Sequence, residues 1–330
     1  MSAAVPDPPQ LGRASAAPPT AKRRRSPARL AVWAGVIDII ALAWLLRVIG
    51  ITRNYDIFVD EVTYTRIAEN LATGHGLVLY GAPFDLHPPA AFALYALAIK
   101  LFSMHGSIAG VLFELRPFVA LLGSISCALV FLLVGGLTKW RFGLCAAIIA
   151  ALDPFEIFYD SRVMLEAPAQ LASLIAILLL ARSLCSRSEW QSWTLVMLSG
   201  IAAGIAMCAK EYFGLTLILV LLICLLTGWV TERRKAATAL TVMGVCYIFS
   251  EYAVIASTGF PSWWYQTTSG LRRLIGSEQI TGFNSSTVHV SLLSRLTANA
   301  NHYGVTYLIL GFGAVAGVIK LAGVARRRAD

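Results

Sequence analysis

The chain runs 330 residues, of which 57% are hydrophobic and only 14% charged. A soluble globular domain carries about 45–50% apolar and about 25% charged residues, so an ordinary cytosolic enzyme and a disordered scaffold are both excluded. The net charge of +9, from 27 Lys+Arg against 18 Asp+Glu, would suggest nucleic acid in a soluble protein. Here the bases sit in short clusters beside apolar blocks, as orientation signals do in membrane proteins, and no basic stripe with interleaved aromatics offers a nucleic-acid surface.

In chain order, residues 1–29 are Pro/Ala-rich and end in Lys22, Arg23, Arg24, Arg25 and Arg29, a disordered basic tail by composition. Apolar blocks of bilayer length then predict membrane spans at about 30–51, 117–138, 142–157, 167–184, 192–208, 212–230, 236–257 and 303–324. The class is thus an all-α polytopic membrane protein with about eight transmembrane helices, the membrane domain covering 30–325. Lys139/Arg141, Arg182/Arg187, Arg233/Arg234/Lys235 and the tail 326–330 fall at alternate connections, which puts both termini in the cytoplasm. A plasma-membrane location is expected. The segment 89–103 is too short to span, and counting it would send the later basic clusters outside. It is read as a juxtamembrane helix of a first outer loop, 52–116, with a nine-segment chain as the alternative. The last outer loop covers 258–302 and contains a glycosylation sequon at Asn284. The six cysteines form no CxxC pair and lie far from histidine, so neither a disulfide framework nor a zinc site is expected.

With this topology most carboxylates collect on the outer face. Asp60-Glu61-x-x-Tyr64 opens an amphipathic helix with Asp60 as its N-cap and a stop at Gly74. Adjacent carboxylates beside a membrane cavity also fit a general base and a neighbour that tunes it. Asp85-Leu86-His87-Pro88-Pro89 starts a second helix, and His87 could orient a hydroxyl or phosphate. Between Asp153 and Glu166 four acids crowd around Arg162, either as a cavity lining or as a structural pair of Arg162 with Asp160 or Glu166. Lys210, at the outer end of a span, either snorkels or pairs with Glu211, or else meets a lipid-linked phosphate. Arg272-Arg273 are weaker candidates, Trp263-Trp264-Tyr265 reads as an interfacial belt, and Asp38 and Arg47 stay unassigned. GxxxxGK[ST], GxSxG and HExxH are absent, against a P-loop ATPase, an α/β-hydrolase and a zincin.

The ordered set Val59-Asp60-Glu61-x-x-Tyr64, His87-Pro88-Pro89, Arg116, Leu152-x-Pro154 with Leu165-Glu166, and Gly204 followed by Lys210 resembles the GT-C superfamily of membrane glycosyltransferases. It is most similar to the family 39-like enzymes, the protein O-mannosyltransferases and aminoarabinose transferases. The resemblance covers about residues 30–230. It implies a GT-C-type helical bundle that moves a sugar from a polyprenyl-phosphate donor to an acceptor glycan, lipid or protein hydroxyl on the outer face, with inversion. By the same resemblance Asp60 is the base, Glu61 and Glu166 (less surely Asp160) assist, and Lys210 holds the donor phosphate with help from Arg162 or Arg272. Asp160, Tyr64 and His87 complete the donor pocket. No cofactor is demanded, although a divalent metal between Asp60 and a phosphate would be compatible. The chain offers Glu166 where the family commonly has Asp, and it is shorter than usual members. A non-catalytic lipid-linked-sugar binding or transport protein on the same scaffold is the alternative; it would spread charges through the spans.

Overall fold

The computed structural model describes residues 27–49, 51, 56–228, 231–274, 292–313 and 315. Most of the basic tail, the sequon and the last fifteen residues lie outside them. Among the described residues the protein is a helical bundle whose only strands are a two-residue hairpin, Val78–Leu79 paired with Ala82–Pro83.

The first helix, α1 (Pro27–Val48), starts three residues before the expected span and packs Val36, Ile39 and Ala43 against Phe131 and Ala147. After it come α2 (Val59–Ala72), the hairpin and α3 (Ala90–Leu101). Helix α3 has twelve residues, about 18 Å of rise, and buries Phe92, Tyr95 and Ile99 in protein. It is shorter than the helices long and apolar enough to cross a membrane. Helix α4 (Ile108–Leu137) is thirty residues long, about 45 Å, and exceeds a ~30 Å bilayer core. It starts at Ile108, nine residues before the expected boundary, and is capped by Ser107, whose hydroxyl accepts from the Gly110 N–H at 3.2 Å. Arg116 and Pro117 looked like a span edge in sequence. They sit instead inside α4, with Pro117 within the helix and Arg116 buried.

The expected span 142–157 is two helices, α5 (Trp140–Leu152) and α6 (Pro154–Asp160), bent by 62° at Asp153. Pro154 has no N–H to continue the ladder, and Asp153 restarts the helix by accepting from the N–H groups of Phe155 (2.8 Å) and Glu156 (3.2 Å). The remaining membrane helices are α7 (Glu166–Leu184), α8 (Glu189–Ala209), α9 (Glu211–Thr227) and α10 (Arg233–Thr258). Small residues let α8 and α10 approach closely: a Cβ on Gly200 would stand 2.8 Å from the Ala239 carbonyl, and one on Gly204 2.5 Å from Cys246 Cβ. Such packing is how helices associate where lipid removes the hydrophobic drive.

Four described helices, α4, α7, α8 and α10, are long and apolar enough to cross a membrane, or five if the α5–α6 pair is one span. The protein is an integral membrane protein, while the eight expected spans are not all of full length. Helix α9 has seventeen residues, and the last expected span is described only as α13 (Gly304–Gly313). The region expected as a plain outer loop, 258–302, carries α11 (Phe260–Leu274) and α12 (Leu292–His302).

Candidate active site

Helices α2 and α3 and the hairpin lie across one end of the bundle on an apolar layer that includes Tyr64, Ile67, Phe92, Leu112, Leu115, Val163 and Leu165. This layer fixes the start of α2, where the two adjacent carboxylates diverge. The N-cap is Phe58, in an extended conformation, not Asp60. Glu61, the third helical residue, turns back and accepts the Phe58 N–H at 3.1 Å. Asp60 is thereby relieved of capping and projects to the exposed side of the helix.

Glu61 is fully buried and all of its accepting capacity is engaged. Arg116 donates through Nε at 2.9 Å and Nη2 at 2.7 Å, and the Val163 N–H donates at 2.9 Å. Arg162 stands 3.7 Å away, reaches Asp56 Oδ2 at 3.1 Å and lies over the Phe158 ring at 4.2 Å. Neither structural pair anticipated for Arg162 forms. Asp160 instead receives Nε and Nη2 of Arg47, both at 2.9 Å, in a pair that is almost completely buried. The spacing of nine residues between Asp38 and Arg47 gave no hint of this partner, because it lies 113 positions away.

Asp160 owes its place to Gly123 on α4. A Cβ there would stand 2.2 Å from the Asp160 carboxyl. Gly123→Ala is therefore expected to lower stability by about 1–3 kcal/mol through overpacking, read as a lower melting temperature in detergent. An unchanged melting temperature would refute the close approach.

A second group faces Asp60. Glu166 opens α7, where the helix N-terminus favours a carboxylate, and it pairs with Lys210 Nζ. Lys210 is the extended residue between α8 and α9, 7% exposed, with Nζ 4.9 Å from the centre of the Tyr212 ring. Burial opposes the lysine's charge, but Glu166 and Tyr212 outweigh it and its pKa is raised. His87 Nδ1 lies 3.8 Å from Glu211 Oε2, and its ring meets Tyr64 edge-on at 5.9 Å. Burial, followed by the charges of Asp60 and Glu166, raises the Tyr64 pKa, so its phenol stays neutral.

Asp60 feels this whole group. Dehydration by its surroundings raises its pKa, the charges of His87 and Lys210 pull it down, and Glu166 pushes it up. No hydrogen bond or ion pair among the described residues claims its carboxylate. One oxygen of Glu166, Oε2, is likewise buried without a partner. The arrangement is an unclaimed carboxylate facing a buried cation, with a histidine and a neutral phenol beside it. Among the described residues no three His, Cys, Asp or Glu side chains are placed to hold a metal ion.

Residues 86–254, just over half of the chain, match the sequence profile of the dolichyl-phosphate-mannose-protein mannosyltransferase family. The chain belongs to that family. The matched region holds His87, Arg116, Asp160, Arg162, Glu166 and Lys210, while Asp60, Glu61 and Tyr64 precede it. No curated protein sequence matches the chain. Among solved structures, the fold is similar to the Saccharomyces cerevisiae protein O-mannosyltransferase Pmt1-Pmt2 complex bound to the sugar donor. The TM-score is 0.56 at 19% identity over 69% of this chain and 34% of that one. It is also similar to the oligosaccharyltransferase AglB of Archaeoglobus fulgidus in complex with an inhibitory peptide and a dolichol-phosphate. There the TM-score is 0.51 at 14% identity over 86% and 37% of the two chains. The Archaeoglobus fulgidus oligosaccharyltransferase in its apo form gives 0.52 at 14% identity over 82% and 36%. These likenesses establish a GT-C-type fold, and the chain spans about a third of the length of the solved structures it matches.

Of the residues expected from sequence, Asp60, Tyr64, His87, Glu166 and Lys210 come together. Glu61 and Arg162 lie behind them in the Arg116 network, and Asp160 is sequestered by Arg47. Arg272 makes contacts within α11, to the Thr268 carbonyl at 3.3 Å. Sequence reasoning offered Glu211 as the partner of Lys210, which pairs with Glu166 while Glu211 stands beside His87, and it gave no role to Tyr212 or Asp56. It also missed the docking of α11, where Ser262 and Gln266 hold Asp85 at 2.6 and 3.4 Å and Trp263 donates to Glu251 at 2.5 Å. Trp264 and Tyr265 remain exposed on that helix. Two aromatics beside a single Ser-x-x-x-Gln pair on one helical face were the available signal.

Proposed function

We propose that this protein is an integral membrane glycosyltransferase that takes a sugar, with mannose as the first candidate, from a polyprenyl-phosphate carrier and passes it to an acceptor hydroxyl on the outer face. The observation that carries this reading is the unclaimed Asp60 carboxylate facing the buried Lys210–Glu166 pair. Family membership, the sugar donor bound in the Pmt1-Pmt2 complex and the dolichol-phosphate bound in AglB support the lipid-linked donor. The alternation of basic clusters supports an outer-face site with cytoplasmic termini, as a plasma-membrane enzyme would have.

In this mechanism Asp60 accepts the proton of the acceptor hydroxyl as its oxygen attacks the anomeric carbon. The bond from that carbon to the phosphate oxygen breaks, and its electrons leave on the polyprenyl phosphate. The phosphate is a good leaving group, so the site needs a base and a cation rather than a second acid. Lys210 faces the phosphate oxygens, with Glu166 holding the ammonium in place. His87 and Tyr64 border the sugar, while Glu61 and Arg162 act behind Asp60 by fixing the start of α2. Attack opposite the leaving group inverts the anomeric configuration.

Proteoliposomes given labelled polyprenyl-phosphate mannose and candidate hydroxyl acceptors test this directly. Transfer with inverted anomeric configuration, seen by NMR, is expected. A retained configuration would remove the single-displacement mechanism, and label moving equally well in the Asp60→Asn protein would remove the base. The pH profile adds a signed test. Asp60 works only when deprotonated, so kcat/KM falls as pH drops through its raised pKa. Glu166→Gln removes a charge that raises this pKa, and the acid limb should move to lower pH. Movement to higher pH would contradict the assignment.

A further inference from the structure

At the end of the bundle that carries Asp60, a cavity of about 340 Å³ opens between the end of α1, α4 and α6. None of Asp60, His87, Glu166 or Lys210 lines it. Among the described residues its wall contains three guanidinium groups, those of Arg47, Arg116 and Arg162, together with Ser161, and no carboxylate. The rest is apolar, including Leu46, Ile49, Leu152 and Ile157. Ile49 and Leu152 are 67% and 56% exposed, so the mouth opens through side chains suited to hydrocarbon.

The counter-charges of the three arginines differ. Asp160 and Glu61, which match Arg47 and Arg116, are 1% and 0% exposed. Glu156, which also acts on Arg47, does not line the cavity. Arg162 pairs at 3.1 Å with Asp56, whose side chain is 74% exposed, and more distantly at 3.7 Å with Glu61, which keeps Arg116 as its main partner. An ion pair with so exposed a partner is weak, and Asp56 can return to water at little cost. A phosphate entering here would take over Arg162 without stranding a buried acid.

We infer that this cavity is a binding site for the phosphate headgroup of a membrane lipid, separate from the site around Asp60 and Lys210. Guanidinium forks match phosphate oxygens in geometry. Basic pockets between transmembrane helices hold anionic headgroups in this way. The alkyl chains of the lipid leave past Ile49 and Leu152 into the bilayer.

The test is native mass spectrometry of the full chain in detergent, titrated separately with phosphatidylglycerol, undecaprenyl phosphate, phosphatidylcholine of matched chain length and inorganic phosphate. The anionic lipids are expected to bind about tenfold or more tightly than phosphatidylcholine. Ile49→Asp puts a carboxylate at the exposed mouth without touching the core and should erase that preference. Ser161→Glu does the same deeper inside. Lys210→Met should leave phosphatidylglycerol binding as it is, which separates this site from the proposed donor site and frees the result from whether the protein transfers sugar. Equal retention of phosphatidylcholine, or an undiminished preference in the folded Ile49→Asp protein, overturns the site. Inorganic phosphate binding as tightly as the lipids overturns its assignment to a lipid. Loss of phosphatidylglycerol binding in Lys210→Met overturns its separateness.

Discussion

Asp60→Asn is expected to abolish sugar transfer while leaving the protein as stable as before. The substitution keeps the shape of the side chain and removes its ability to take a proton, and loss of a positioned general base costs about 10²–10⁴-fold in rate. Stability should hold because the carboxylate caps nothing, pairs with nothing among the described residues and projects from an exposed helical position. Donor binding should also survive, since Lys210 and Glu166 are untouched. The loss should therefore fall on kcat, with KM for the polyprenyl-phosphate donor little changed. Melting temperature and transfer rate, measured on the same preparation, check both halves. Transfer at the parental rate would remove Asp60 from the chemistry. A collapse in melting temperature would show that the residue serves the fold instead.

Much of the bundle was legible because the relevant signals are local. Apolar length located the membrane helices, and the two prolines at 88–89 marked the start of α3. The segments that departed from expectation share a cause: a polar residue that looked like a boundary was satisfied by something distant. Arg116 read as a span edge, yet it is the inward partner of Glu61, 55 residues earlier, and α4 runs straight through it. Asp60 read as a helix cap because aspartate commonly caps, but Glu61 reaches back and does that work. Asp160 read as a member of the site, and only the tertiary approach of Arg47 and the gap at Gly123 decide that it is buried elsewhere. The pairing of Glu166 with Lys210 likewise crosses 44 residues. Motif order suggested which residues gather, while charge pairing decided which of them remain available for chemistry.

That distinction predicts the opposite behaviour for the neighbour of Asp60. Glu61→Ala should destabilise the protein by about 3–5 kcal/mol, the cost of leaving a buried cation uncompensated, and activity should fall with the fold. The carboxylate accepts from Arg116 and from the backbone of Val163 and Phe58, so one side chain ties α2 to α4 and to the segment after α6. Arg116→Met should cost a similar amount, because it strands Glu61 at 0% exposure. The double variant Glu61→Leu with Arg116→Met should be milder than the sum of the two, since no charge is then left alone. Thermal melts of the four proteins in one detergent measure the coupling. Additive losses would show that the two residues act independently. Transfer restored with stability in the double variant would mean that Glu61 serves Asp60 only by holding α2 in place. Transfer still absent from a refolded double variant would mean that the buried carboxylate also sets the charge environment in which Asp60 works.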